Sequence, residues 1–569
     1  MKHKTLKDWW RALAVPPLGV RGPRVGIFSL LFIFILTLLA FTYRPIEKYF
    51  EVAKSLDIFS TLFKEVNTFY VDEVGPKKLI DTGIEEMLNT LDPYTVYIPE
   101  ESGESFSILT TGQYAGIGAL IGLVNNKTVV RLPYAGFPAN EAGIRVGDEL
   151  ISIDGKNVKG KPSGDVSALL KGTPSTEVEV VVKRSGMSND LTFKIKRTKI
   201  KVSNVVCQEL IDGVGYIKMD DFTPGAAKEV ENAVAKLKGE GAKGIIIDLR
   251  ENGGGLLFEA INIVNLFIPK GLEVVSTKGK VDEWNKTYKT LNNPFDADIP
   301  LAVLVSGGSA SASEIVAGSL QDYDRAVLVG EKTFGKGLVQ STRQLPYKAQ
   351  VKITTAKYYI PSGRCIQALD YTHRKSDGTV SRTADSLKSE FKTSKGRKVF
   401  DGGGLDPDIK SEPIADIEIL EGLYISDFFF EYANIYCAKN NAPSDLKQFK
   451  ISDKDYAEFT DWLKENHFSY STDLEEQVKT LSEVAKKGRE NDEVVNSIQL
   501  LKNRIESTKQ NDFIRYKTEI ISALEEEIAF HYTLHKGRFQ VSADTDNELQ
   551  KTIQLLNNPA QYKQILLIK

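Results

Sequence analysis

The sequence contains few of the residues that build a disulfide framework or a histidine-based catalytic site. Cysteine occurs three times in 569 residues, as Cys207, Cys365 and Cys437, and so odd and sparse a set argues against a disulfide scaffold. Histidine occurs five times and no G-x-S-x-G motif is present, so a Ser-His-Asp triad has little support. The net charge is only −3, which does not indicate the basic face that nucleic-acid binding requires. The sequence favours a globular chain of several domains, with no predicted metal, cofactor or nucleic-acid partner.

A long uncharged segment lies near the N-terminus. Residues 25–43 form an apolar run of 19 residues, and residues 1–24 before it carry several Lys and Arg against one acid, Asp8. Such a run is long enough to cross a bilayer, and the basic flank predicts a cytoplasmic N-terminus. A cleavable signal peptide is the alternative, but its apolar core is usually shorter and its exit less bulky. We therefore predict a single-pass anchor in a bacterial inner membrane, with the remainder of the chain on the periplasmic or extracytoplasmic side.

Residues 301–340 carry most of the chemical information in the chain. An apolar run at residues 301–305 predicts a buried strand, and three small serines at 309, 311 and 313 follow before a helical pattern begins at Glu314. A serine at such a strand-to-helix turn exposes its hydroxyl beside free backbone N–H groups. A second predicted strand leads into the glycine turn T-F-G-K-G at residues 333–337. The pair of motifs suggests a serine nucleophile with a lysine base.

Two other interpretations fit parts of this segment. Serine-rich helix starts are common N-caps that have no catalytic role. Residues 330–336 also fit G-x-x-x-x-G-K, the phosphate-binding loop, but Gly337 stands where that loop has its magnesium-binding Ser or Thr. The residues after Gly337 resemble a strand rather than the helix that a phosphate-binding loop needs. A nucleotide site is therefore disfavoured.

The segment resembles the catalytic core of the carboxyl-terminal processing proteases, also called tail-specific proteases. The resemblance extends to G-I-I-I-D-L-R-E-N-G-G-G at residues 244–255 and to G-G-G-L-D-P-D at residues 402–408, and covers roughly residues 50–412. It implies a multidomain α/β protein whose protease core is built from crotonase-like ββα units. Alternating strand and helix patterns over residues 213–361 also predict an α/β core with parallel neighbouring strands.

The resemblance assigns roles to individual residues. The middle serine of S-A-S-A-S-E, Ser311, matches the nucleophile, Lys336 matches the base, and Gln340 matches the residue that orients the lysine. An oxyanion needs preorganised donors, which by position are the N–H of Ala312 and one N–H from the glycines 253–255, of which we choose Gly254. The turn dipeptide at residues 252–253 is also consistent with a plain turn.

A further family motif precedes the core. A helical pattern ends in Asp92-Pro93-Tyr94-Thr95, a turn signal. Related proteases have a similar D-P motif here, often with histidine where this chain has Tyr94. The sequence shows no consequence of that difference.

Residues 106–186 alternate short strands with turns and resemble a PDZ domain. The resemblance implies that the loop at Gly116, Ile117 and Gly118 binds the carboxylate of a substrate's C-terminus, beside a strand edge and a helix. A tight turn alone, or an imperfect dinucleotide fingerprint, would also explain the glycines.

These elements define the predicted organisation and function. We predict six segments: a basic cytoplasmic part (1–24), a transmembrane anchor (25–43), an N-terminal helical region (44–103), a PDZ domain (104–186), a protease core (187–412) and a C-terminal helical domain (413–569). We predict a membrane-anchored serine endopeptidase with a Ser/Lys dyad, which recognises C-terminal tails through its PDZ domain and cleaves exported proteins. Its predicted partners are unfolded or C-terminally exposed polypeptides, and the oligomeric state stays open, a homo-oligomer included. The alternative is a non-catalytic, membrane-anchored PDZ scaffold with a degenerate protease core.

Overall fold

The chain forms two compact units, Met1–Met87 and Leu88–Lys569. The computed structural model describes residues 49–102, 111–375, 378–411, 417–488, 491–509 and 511–568. In the first unit, residues 49–69 are helical, and the helix Pro76–Asn89 ends inside the second. All of the predicted site residues lie in the second unit.

A six-stranded sheet forms the centre of the second unit. Its spatial order is Val205–Ile211, Val214–Met219, Gly244–Asp248, Leu301–Val305, Val327–Gly330 and Ile409–Lys410. The first two strands are antiparallel and the other neighbours are parallel, as the alternating pattern predicts. Its central strands are buried on both faces because helices cover each side of the sheet.

Different parts of the chain cover the two faces of this sheet. The helices Ala226–Gly239, Leu257–Asn265 and Ala312–Asp322 pack on one face, which carries Ile245 and Ile247. The other face carries the alternate residue Ile246 and is covered by the last two helices, Asn547–Leu556 and Pro559–Ile565. The C-terminus is therefore part of the core packing.

A second sheet, of five strands, borders the first. The strands Val96–Ile98, Gln350–Tyr359, Glu273–Gly279 and Lys286–Lys289 are neighbours in that order, and Leu338–Gln344 also pairs with Gln350–Tyr359. Smaller strand pairs and 3₁₀ turns complete this region: Gln113–Gly116 with Thr198–Lys201, Leu369–Arg374 with Val380–Arg382, Glu390–Lys392 with Lys398–Phe400, and the turns Glu100–Ser102, Asp282–Trp284 and Asp385–Leu387. The sheet brings residue 340 close to the turn at residues 92–95.

The PDZ-like segment forms its own sheet. Its strands are Ala119–Val124, Lys127–Pro133, Glu149–Ile153, Glu177–Lys183 and Leu191–Lys196 in spatial order, with Lys156–Asn157 beside the third, and its helices are Pro138–Glu141 and Ser163–Leu170. The first strand lies at the edge of the sheet. The helix Ser163–Leu170 contacts that edge strand. A strand edge beside a helix is the arrangement in which PDZ domains bind a peptide as an added strand.

The remaining helices form a separate core. They are Glu418–Ile425, Phe428–Lys439, Asp453–Glu465, Asp473–Gly488, Asp492–Lys509, Asp512–Arg515 and Lys517–Ser542, with a 3₁₀ turn at Leu446–Gln448. The last of these helices is interrupted, since Thr533 and Leu534 have non-helical backbone angles. Leu534 packs with Phe430 and Phe530 against valines of the PDZ-like sheet.

An ion pair adds to this contact between the helices and the PDZ-like sheet. Arg131 of the sheet lies 2.8 Å from Asp427, at the start of the helix Phe428–Lys439. The amide of Asn125 donates to Glu431 at 2.8 Å. The PDZ-like sheet is thus attached to the helices through both apolar and polar contacts.

The helices of the described residues do not include one that is both long and apolar enough to span a membrane. A bilayer span needs about 20 consecutive apolar residues, whereas the longest of these helices, Lys517–Ser542, carries several charges. The predicted location as a single-pass inner-membrane protein is therefore contradicted. The run at residues 25–43, on which that prediction depended, lies outside the described residues.

Candidate active site

The three clustered serines occupy different environments. Ser309 and Ser313 are fully buried, and their hydroxyls donate to the carbonyls of Leu249 at 2.7 Å and Asn252 at 2.8 Å. Ser311 is partly exposed and immediately precedes the helix Ala312–Asp322. Only the middle hydroxyl of the three is therefore both accessible and free of a buried carbonyl partner in this cluster.

The backbone of Ser311 is strained. Its φ is +55° and its ψ is −111°, a combination that serine rarely adopts. Such strain persists only where the surrounding contacts impose it, and it is common at functional sites. Here the strain accompanies a sharp turn from the buried strand Leu301–Val305 into the helix.

A buried glutamate joins this turn to the lysine segment. The carboxylate of Glu314 accepts the N–H groups of Ser311 and Lys336, each at 2.9 Å, and of Gly335 at 2.8 Å, and the hydroxyl of Thr333 at 2.6 Å. Burial raises the pKa of Glu314 to about 6, although these hydrogen bonds favour the ionised form. The carboxylate thus fixes both motifs in one network.

A buried tyrosine joins the same two segments. The hydroxyl of Tyr358 lies 2.6 Å from the carbonyl oxygen of Lys336 and 3.2 Å from that of Ser311, and can donate to either. Together with Glu314, Tyr358 holds the two predicted catalytic residues at neighbouring positions.

The amine of Lys336 is partly shielded from water. Burial and, to a smaller extent, the positive charge of Lys352 lower the pKa of Lys336 to about 8, against opposing effects of Asp92 and Glu314. Its Nζ atom lies 4.2 Å from the ring centroid of Tyr94. Within the described residues, no hydrogen bond joins this amine to the Ser311 hydroxyl. Catalytic hydrogen bonds are often long in the absence of substrate.

Gln340 lies at an irregularity in the second sheet. The register of Leu338–Gln344 with Gln350–Tyr359 shifts between Val339 and Gln340, a β-bulge. Bulges re-aim side chains near active sites. The Gln340 amide donates to the Thr354 hydroxyl at 3.2 Å. Gln340 makes no hydrogen bond to Lys336 in the part of the chain that the structure describes.

The predicted oxyanion donors are next to each other. A Cβ added to Gly254, whose φ is +93°, would lie 2.7 Å from the nitrogen of Ala312. The N–H of Gly254 itself donates to the Asn252 side chain at 2.9 Å. To serve as an oxyanion donor, Gly254 would therefore have to share or exchange this partner, whereas Ala312 begins the helix.

The predicted carboxylate-binding loop is buried and leads from the strand Gln113–Gly116 into the first strand of the PDZ-like sheet, Ala119–Val124. The carbonyls of Ile117 and Gly118 accept the N–H groups of Ala139 at 2.8 Å and Tyr134 at 3.0 Å. Gly118 has φ +77°, and a Cβ there would lie 2.5 Å from that of Phe137. Gly116 ends the preceding strand. A carboxylate only accepts hydrogen bonds, so the backbone N–H groups of residues 116–118 are the donors with which this loop would bind one.

The sequence motifs predict catalytic roles for Ser311 and Lys336, but they do not indicate the other contacts of the candidate site. The sequence pattern indicates Glu314 only as the start of a helix, although its position three residues after Ser311 is that of a capping box. The contacts of Tyr358 and Tyr94 depend on strand pairing between distant segments, for which the sequence contains no local signal.

Three parts of the chain match known protein families. Residues 213–373 match Peptidase family S41, residues 129–184 match the PDZ domain, and residues 419–556 match "Probable PDZ-protease, C-terminal helical domain". The first match contains Ser311, Lys336 and the four central strands of the six-stranded sheet, and the other two contain most of the PDZ-like strands and most of the C-terminal helices.

Individual relatives match over about half of the chain. A "Carboxy-terminal-processing protease" of Bartonella bacilliformis is 36% identical over 324 residues, which cover 56% of this chain and 74% of that protein. A "Probable CtpA-like serine protease" of Staphylococcus aureus is 38% identical over 315 residues, which cover 55% of this chain and 62% of that protein, less than two thirds of its length. A solved photosystem II D1 C-terminal processing protease is 28% identical, with 62% of this chain and 92% of that chain covered and a TM-score of 0.33.

Proposed function

Since the chain belongs to the carboxy-terminal-processing proteases, we propose that Ser311 is its nucleophile and Lys336 its general base. The chain is a serine-type peptidase of family S41 with a PDZ domain. The observation that carries the proposal is the pair of shared contacts: Glu314 and Tyr358 each contact the backbone of both residues.

The proposed chemistry begins with a neutral lysine. The Lys336 amine accepts the hydroxyl proton of Ser311 as Oγ attacks the substrate carbonyl, and the Ala312 N–H stabilises the oxyanion. Gly254 is the proposed second donor. The ammonium of Lys336 then gives its proton to the leaving amine, and an acyl-enzyme forms. Water hydrolyses this ester with Lys336 again as base. At the lowered pKa, about one tenth of the lysine is neutral at pH 7.

Gln340 acts in this proposal through the sheet rather than through a direct hydrogen bond. It is held by Thr354, whose own N–H donates to Thr95 at 3.1 Å. The side chain carries no charge, so it leaves the lowered pKa of Lys336 intact. We propose that it orients the amine once substrate fills the site.

The PDZ domain is proposed to select the substrate. A peptide C-terminus would add a strand beside Ala119–Val124, with its carboxylate at the N–H groups of Gly116, Ile117 and Gly118. The proposed substrates are polypeptides with an accessible, apolar C-terminus. The prediction that they are exported proteins depended on the membrane anchor, and we do not extend it.

The domain boundaries predicted from the sequence stay a proposal, to which we add one part of the protease core. We propose that the protease core, residues 187–412, includes as its cover the two helices that follow residue 546. The crotonase-like description of the core also stays a prediction.

A non-catalytic scaffold is the competing function. The half-buried environment of Lys336 supports an enzyme instead, because holding an amine there with no carboxylate hydrogen-bonded to it in the described residues costs stability that a scaffold has no reason to retain. The two functions are separated by cleavage of an unfolded protein substrate. Ser311→Ala and Lys336→Ala should each abolish cleavage, and Lys336→Arg should be equally inactive because guanidinium does not deprotonate.

Lys332→Ala is the matched control for these variants. Lys332 lies on the same segment and its amine pairs with Asp406 at 3.4 Å, away from the network of Glu314. It should retain activity. Full activity of Ser311→Ala or of Lys336→Ala would overturn the proposed function.

A further inference from the structure

The turn at residues 92–95 is fixed tightly against the active-site sheet. The buried carboxylate of Asp92 accepts the N–H groups of Tyr94 at 2.9 Å and Thr95 at 2.8 Å. The Thr95 hydroxyl donates to Asp92 at 3.1 Å and accepts the N–H of Thr354 at 3.1 Å. These bonds leave the backbone of Tyr94 little freedom.

The ring of Tyr94 is held from a second direction. It packs edge to face with the ring of Tyr371, with centroids 6.1 Å apart and planes at 87°. Its own face is directed at Lys336, whose Nζ lies 4.2 Å from the centroid. An aromatic face at this distance attracts an ammonium group through its quadrupole. The ring is thus a fixed, uncharged surface on which the lysine amine lies.

We propose that Tyr94 is a positioning residue for Lys336: its ring holds the amine at the site and stabilises the ammonium that forms when the lysine takes the serine proton. The inference deepens the proposed function and rests on Lys336 being the base. It gives a role to the tyrosine at a position where the sequence alone suggested none.

The ring suits a base that must be neutral before the reaction and charged during it. A carboxylate at 4 Å would keep the lysine protonated. A ring attracts the ammonium more weakly and costs no reorganisation when charge develops. The Tyr94 hydroxyl stays neutral, since burial and its hydrogen bond with Tyr371 raise its pKa.

Other charged groups also act on the amine. Lys352 opposes its protonation, while Asp92 and Glu314 favour it. Asp92 is occupied by the turn, and Glu314 accepts four donors. Neither carboxylate hydrogen-bonds to Nζ within the described residues. Tyr94 is therefore the contact whose removal changes the amine's immediate surroundings without removing a charge.

The test compares Tyr94→Leu with Tyr94→Phe. Leucine keeps the site apolar but has no π face, whereas phenylalanine keeps the ring. For Tyr94→Leu we expect the acid limb of the kcat/KM profile to move to lower pH by about half to one unit. We also expect the plateau rate at high pH to fall about tenfold. Tyr94→Phe should leave the pH of the acid limb unchanged, and its plateau rate should lie within about threefold of the wild-type rate.

Tyr97→Leu is the matched control. Tyr97 lies on the neighbouring strand, paired with Val351, and should change neither the limb nor the plateau. A ¹³C NMR titration of Lys336 in the Ser311→Ala background measures the same shift without catalysis. There, Tyr94→Leu should lower the pH at which Lys336 titrates.

The outcomes distinguish this inference from the proposed function. If Lys336→Ala stays active, the proposed function fails. If Lys336→Ala is inactive but Tyr94→Leu matches the wild type in limb and plateau, only the role of Tyr94 is overturned. A lower plateau with an unshifted limb would mean a structural role, and a faster enzyme would mean that the ring restrains the base; both contradict the inference.

Discussion

Oε2 of Glu314 accepts the backbone N–H of Lys336 at 2.9 Å, and the same oxygen accepts the N–H of Ser311. The proposed nucleophile and the proposed base are therefore positioned by one buried carboxylate. These two hydrogen bonds explain how the helix start at Ser311 and the glycine turn at Lys336, which are separated in sequence, are held at a fixed distance from each other.

Replacing Glu314 by Gln should damage both the fold and the activity. A glutamine offers one acceptor oxygen where four donors converge, so two buried donors would face an NH₂ group. We expect a loss of about 2–4 kcal/mol in the free energy of unfolding and at least a tenfold fall in kcat. Denaturant unfolding and cleavage assays measure the two effects. Glu331→Gln, on the same segment, is the control and should be near wild type; a Glu314→Gln variant as stable and active as wild type would refute the role of this carboxylate.

Adding one methyl group to Gly254 should inactivate the enzyme. A Cβ there would meet the Ala310 carbonyl at 2.6 Å and the Ala312 nitrogen at 2.7 Å, and φ is +93°. Loss of an oxyanion donor costs about 10²–10³ in kcat, so Gly254→Ala should lose at least that much. The matched control is Gly253→Ala, because a Cβ at Gly253 has no neighbour within 4 Å. Comparable activity of both variants would contradict the assigned oxyanion site.

Removing the amine of Lys336 should stabilise the protein at neutral pH. Its pKa in the folded state is about 8, below the value of an exposed lysine. The wild type therefore carries the full cost of the buried charge below pH 8. Above pH 8 that cost decreases, and it vanishes near the unfolded pKa of about 10.4.

Lys336→Met should consequently have a larger free energy of unfolding than the wild type at pH 7, by up to about 3 kcal/mol, as measured by denaturant unfolding. This advantage should shrink between pH 8 and pH 10.5. Lys332→Met, which removes an amine paired with Asp406, is the control and should not be more stable than the wild type at pH 7. A Lys336→Met variant that is less stable than wild type at pH 7 would contradict the burial argument.

Substrate choice should depend on a free, apolar C-terminus. In the proposal, the N–H groups of residues 116–118 bind the substrate carboxylate, and an unpaired charged side chain in an apolar pocket costs several kcal/mol. One unfolded substrate with an apolar tail, an Asp-Asp tail or an amidated tail should be cleaved fastest in the first form. The expected difference is at least tenfold. Equal rates for the three tails would remove the PDZ domain from substrate selection.

The sequence predicted the features that depend on local patterns. The buried strand before Ser311, the glycine turn around Lys336 and the parallel α/β core are visible as apolar runs, small residues and alternation. The family and the enzyme class are confirmed by the comparisons.

Features that depend on distant contacts could not be predicted in this way. Tyr94 meets Lys336 only because the strand Val96–Ile98 pairs with Gln350–Tyr359, far along the chain. The bulge at Gln340 and the cover that Leu556 and its neighbours provide for the core sheet likewise arise from tertiary packing. The predicted membrane location was wrong for a different reason. It depended on the apolar run at residues 25–43, which lies outside the described residues, whereas the helices of the described residues include none that is long and apolar enough to span a membrane.

The central claim is that neutral Lys336 activates Ser311, and the pH dependence of acylation tests it most directly. An activated peptide ester is mixed with the protein, the reaction is quenched with acid at short times, and the acylated peptide is identified by mass spectrometry. The account predicts an adduct on Ser311 whose rate of formation rises with pH to a plateau, with a midpoint near pH 8. An adduct on another residue, or a rate on Ser311 that falls from pH 6 to pH 9 with the fold intact, would contradict it.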